Sequence, residues 1–89
     1  MLVKIYKEHI PIQLDRPLRI EFGGHFLNIE LQGREFVGYF NSTYAPEIWQ
    51  FWIMETGQER ELPDNAIYLK TFMLYNGQYV LHVYGRQIK

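Results

Sequence analysis

The residues of this chain best suited to proton transfer or nucleophilic attack are its three histidines, His9, His25 and His82, and one serine, Ser42. Catalysis asks for such groups to stand beside partners in defined roles. Ser42 sits in Asn41-Ser42-Thr43, without the Gly-x-Ser-x-Gly context of a nucleophile elbow. None of the histidines has a second histidine or a carboxylate at metal-ligand spacing, and the chain has no cysteine. Gly23-Gly24 lacks the Lys and Ser/Thr of a phosphate-binding loop. These absences predict neither an enzyme nor a bound cofactor or metal.

His82 is the histidine whose surroundings can be inferred. Asn76-Gly77 lies between two β-rich runs, and both residues tolerate the positive φ angles of a type I′ turn. A two-residue turn there pairs Tyr75 with Gln78, Leu74 with Tyr79, Met73 with Val80, Phe72 with Leu81, Thr71 with His82 and Leu69 with Tyr84. Alternation then puts Tyr68, Phe72, Leu74, Tyr79, Leu81 and Val83 on one face, apolar but for Lys70, which is assigned to the core. The opposite face holds Leu69, Met73, Val80 and Tyr84 around Thr71 and His82. It is too apolar for a solvated face and is expected to be covered by another sheet, another subunit or a ligand. A structural histidine bonded to its neighbour is the commoner outcome for His82, a ligand contact the next, a catalytic role the least.

A second candidate surface is the strand Ile48–Met54, where Trp49 and Phe51 alternate with Trp52. Aromatic side chains of this kind pack cores, and they also stack nucleobases. Thr71, Met73, His82, Tyr84, Trp49 and Trp52 are therefore the candidate contact residues.

The elements that must position these groups read with period two almost throughout. Leu18, Ile20 and Phe22 alternate with Arg19 and Glu21. Asn28, Glu30 and Gln32 alternate with Leu27, Ile29 and Leu31, and Phe36 and Phe40 with Val37 and Tyr39. Gly33-Arg34 fits a tight turn, and the proline-bearing stretch Pro11–Pro17 a connection. Short helical turns fit near Asp15 or Ala45. The polar stretch Gln58–Asn65, with Glu59-Arg60-Glu61, reads as a solvated loop. About six or seven short strands with tight turns predict one all-β domain over residues 1–89, a small antiparallel sandwich or barrel.

Composition narrows the partners. The net charge is −1 and the cations are scattered, which argues against a nucleic-acid polymer and against a membrane surface. A single nucleotide-like ligand asks for less: one or two aromatic faces and a few polar groups. Aromatic residues make up 17% of the chain, more than a small monomer easily buries, so a homodimer or higher oligomer is expected. The absence of cysteine and of a signal-type or membrane-length apolar run suits the cytoplasm.

Val3-Lys4-Ile5-Tyr6-Lys7, Leu31-Gln32-Gly33, Glu55-Thr56-Gly57, Tyr68-Leu69-Lys70-Thr71 and Gly77–Tyr84 together form a pattern. It resembles a family of small uncharacterised bacteriophage proteins. Members open with an Ile-Tyr-Lys-like strand, carry a Thr-Gly pair mid-chain and close with a Tyr-Leu-x-Thr…His-Val-aromatic hairpin. The resemblance implies a phage origin, and hence the host cytoplasm, but no mechanism. The leading expectation is a non-catalytic phage accessory binding protein, a counter-defence factor gripping a host protein or a small nucleotide-like signal. The alternative is a structural or self-assembly module of the particle, and the third an enzyme using His82.

Overall fold

The computed structural model describes residues 1–89 as seven strands with no helix: β1 (Ile5–Ile10), β2 (Leu18–Phe22), β3 (His25–Gln32), β4 (Glu35–Asn41), β5 (Glu47–Glu55), β6 (Ile67–Leu74) and β7 (Tyr79–Gln87). With no helix, nothing in the chain is a helix long and apolar enough to cross a membrane. Leu14–Arg16, near one expected helical turn, is a bend. All strand pairs are antiparallel, in a three-stranded sheet of order β1-β4-β3 and a four-stranded sheet of order β2-β5-β7-β6. The two sheets pack face to face as an open sandwich rather than closing into a barrel.

The period-two patterns explain the core. Each strand turns its alternate apolar residues inward, and aromatic rings from the two sheets meet between them. Phe22 lies 5.0 Å from Phe26 and 5.9 Å from Phe40, Phe26 lies 4.7 Å from Trp49, and Phe36 lies 4.7 Å from Phe72. Gly38, mid-β4, makes room for this contact. A Cβ there would stand 2.6 Å from the Phe22 ring and 3.1 Å from Ile10. At the sandwich edge, Lys70 of β6 forms an ion pair with Glu30 of β3. A lysine on an otherwise apolar strand face thus carries its ammonium to a partner while its stem stays against the core.

The β6–β7 hairpin has the register read from Asn76-Gly77 at its closed end: Leu74 opposite Tyr79, Met73 opposite Val80, Phe72 opposite Leu81 and Thr71 opposite His82. Asn76 (φ 58°) and Gly77 (φ 84°) take the left-handed angles expected of the turn, and Gln78 N–H donates to Tyr75 C=O. Tyr75 itself has φ 53°, so the ladder ends at Leu74–Tyr79.

Further along, the expected pairing fails. The ladder shifts between Tyr68 and Lys70, so Tyr68, not Leu69, stands opposite Tyr84. A bulge inserts one unpaired residue and reverses the alternation beyond it. Leu69 consequently packs against the core, where it also approaches Gly85. Tyr68, assigned to the core from its sequence position, is 54% exposed on the opposite face. A second bulge between Phe26 and Asn28 leaves Leu27 exposed, away from the face of Ile29 and Leu31.

Candidate functional site

The outer face of the four-stranded sheet carries Trp52 and Met54 from β5, Val80, His82, Tyr84 and Arg86 from β7, and Tyr68, Thr71 and Met73 from β6. The face is only partly covered: Trp52 is buried, whereas Tyr68 and Met73 are exposed. Because β5 and β6 both run antiparallel to β7, they are parallel to each other with β7 between them. The connection 56–66 must therefore travel back along the sheet. It is tied to β7 near both ends, through Thr56 to His82 and Asn65 to Arg86. Midway, Gln58 Nε2 and Arg60 Nη1 donate to the Leu14 carbonyl. Arg60, expected to be solvated with its glutamate neighbours, is therefore partly buried. Trp52 is only 4% exposed although it lies outside the core cluster, and the Arg86 guanidinium stands 5.7 Å from its ring centre.

Beside the start of this connection is a cleft of about 220 Å³ lined by Met54, Glu55, Thr56, Gly57, Gln58, Tyr68, His82 and Tyr84. Its back wall is a hydrogen-bonded chain. Tyr68 Oη is 2.5 Å from Thr71 Oγ1, Thr71 Oγ1 is 2.9 Å from His82 Nδ1, and His82 Nε2 is 2.7 Å from Thr56 Oγ1. Both imidazole nitrogens are thus engaged by neutral hydroxyls. The Tyr68 and Tyr84 rings stand 5.6 Å apart at 69°, forming a corner. The bulge makes this possible, since it brings Tyr68 opposite Tyr84. At the rim, Tyr79 Oη donates to Glu55 Oε1, an acceptor that holds the Tyr79 phenol above its ordinary value.

Of the sequence-derived candidates, His82 and Tyr84 line the cleft, and Thr71 fixes the His82 ring from behind. Trp52 shares the face but is buried, with the Arg86 guanidinium over its ring. Trp49 lies on the opposite face of β5, in the core, with its ring 6.0 Å from Phe51. The pair therefore offers no common stacking platform. Met73 is 71% exposed and lines a separate hollow with Leu31, Arg34 and Tyr75 at the hairpin tips. Thr56 and Tyr68 were not among the candidates. Thr56 is remote in sequence from its partner, and Tyr68 reaches this face only through the bulge.

Sequence reading also missed a second polar centre. His25 Nδ1–H donates to Glu47 Oε2 at 2.6 Å, while Glu47 Oε1 accepts from the Phe26 N–H at 3.0 Å and the Trp49 indole N–H at 2.9 Å. The carboxylate thereby joins β3 to β5 across the two sheets. Burial works to raise the pKa of Glu47, but the three hydrogen bonds outweigh it and hold the carboxyl below its ordinary value.

The chain belongs to the family described as a domain of unknown function (DUF7352), whose model matches residues 1–89. No curated protein and no solved structure matches it.

Proposed function

We propose that this chain is a non-catalytic binding domain that contacts its partner through the His82 cleft. The observation that carries the reading is the engagement of both His82 nitrogens by threonine hydroxyls. A histidine that activates a hydroxyl nucleophile is oriented and charge-stabilised by a carboxylate on its other ring nitrogen, whereas His82 has a second neutral hydroxyl, that of Thr71, in that place. A ring held on both sides is instead a rigid wall, and rigid walls lower the ordering cost of binding. The resemblance to small phage proteins supports a phage accessory role, which we read as counter-defence against a host. A nucleotide-like signal would enter by its base, because no Lys or Arg lines the cleft to meet a phosphate.

The test is resonance mapping by NMR with millimolar mononucleosides, mononucleotides, small alkylamines and small alcohols. At least one probe class is expected to shift Met54, Tyr68, His82 and Tyr84 together and to be recovered unchanged. Silence of these residues toward every probe, or conversion of a probe to product, overturns the reading.

A further inference from the structure

We infer that the His82 cleft recognises an alkylammonium head group, such as a quaternary ammonium, by its aromatic corner. The inference rests on the binding reading above and names the ligand class for the same site. Three observations converge on it. First, the two tyrosine rings stand at 69° with centres 5.6 Å apart, and both line the cleft. Perpendicular rings bound two sides of a pocket with electron-rich π systems, which attract a cation within about 6 Å of a ring centre. Second, the lining contains no Lys or Arg to repel a cation, and the one ionisable carboxyl residue at its rim, Glu55, is in no ion pair. Third, about 220 Å³ is below the range of about 300–1,000 Å³ usual for drug-sized ligands. It suits a compact head group rather than a whole nucleotide.

The remaining polar groups fit the same assignment. The Tyr68 hydroxyl, Thr71, His82 and Thr56 are bonded to one another, which fixes the rings without leaving a strong donor aimed at an anion. Arg86, the cation on this face, is drawn away: its Nε donates to Gln50, its Nη1 donates to Asn65, and its guanidinium lies over Trp52. Met54 supplies a polarisable apolar wall against which methyl groups pack.

The test compares choline with its uncharged isostere 3,3-dimethylbutan-1-ol by NMR titration of the folded protein. The two differ in charge and hardly in shape. Choline is expected to shift Tyr68, Tyr84 and Met54 and to bind about threefold to tenfold tighter than the alcohol, the range of a partly exposed cation–π contact. Tyr84→Phe, which keeps the ring, retains that preference, and Tyr84→Leu, which keeps apolar bulk, loses it. Thermal melts of both variants confirm that the domain is folded. Equal binding of the two probes, or a preference that survives Tyr84→Leu, overturns the inference while leaving the binding reading standing. If neither these probes nor the nucleosides move a lining residue, both fall.

Discussion

His25 and His82 are held in opposite ways. His25 gives one ring proton to a carboxylate that is itself 14% exposed and held by two further N–H donors. His82 is held by hydroxyls alone, on both ring nitrogens. The first arrangement links the sheets: Glu47 is the shared acceptor of groups on β3 and β5. The second links β6, β7 and the connection that follows β5, and it leaves a cleft beside it. A buried charge with several donors is costly to disrupt, because each donor left behind is unsatisfied. A neutral hydroxyl chain at a half-exposed site adds less stability but fixes a shape. The histidine centre most tied to the fold is thus not the one beside the proposed binding cleft.

The sharpest way to break this comparison is Glu47→Ala. It orphans the Phe26 N–H, the Trp49 indole and the His25 ring, and is expected to cost about 3 kcal/mol in urea denaturation. The cleft resonances of the folded fraction should not move. A cost below about 1 kcal/mol would show that Glu47 is an accessory surface group.

Acidity sharpens the same contrast. Glu47 has a folded value below the usual 4.5, so its stabilisation is present above that value. It is lost as the pH falls through the lower, folded one. Stability measured from pH 6 downward should therefore decline in the acid range, and Glu47→Gln should flatten part of that decline. Matching slopes in the two proteins would contradict the assignment.

On the other side, His82→Ala is expected to cost about 1 kcal/mol, as for a few modest hydrogen bonds, and to abolish probe binding in the cleft. Retained binding with a large drop in melting temperature would reverse the roles drawn for the two histidines. The smallest effect belongs to Thr56→Val, about 0.5 kcal/mol. Its signature is a faster-exchanging His82 ring rather than a lower melting point.

Much of the architecture is visible in the residues. Leu18-Arg19-Ile20-Glu21-Phe22 alternates because one face is buried, and Phe51 and Trp52 fall on opposite faces for the same reason. Asn76-Gly77 fixes four pairs of the last hairpin through turn stereochemistry. What escapes the sequence is what breaks period two. The bulge at Leu69 carries no glycine to mark it, yet it exchanges the faces of Tyr68 and Leu69 and so builds the aromatic corner. Its driving force is tertiary, since Leu69 gains a place against the core. The polar connection 56–66 reads as solvent-facing because most of it is. Its hold on His82, Leu14 and Arg86 comes from topology. His25 and Glu47 are likewise brought together only by folding.

The strand order β2-β5-β7-β6 also has a consequence for biosynthesis. β7 follows β5 and β6 in the chain but lies between them. When β5 emerges from the ribosome it can pair with β2, but its other edge stays open, with Phe51 on one face and Trp52 on the other. The β6–β7 hairpin is local and can close within about 1–10 μs once both strands are free. Only then can it dock as a unit and draw residues 56–66 across the sheet. Until that moment a nascent chain presents an aromatic strand edge of the kind that recruits chaperones or other chains.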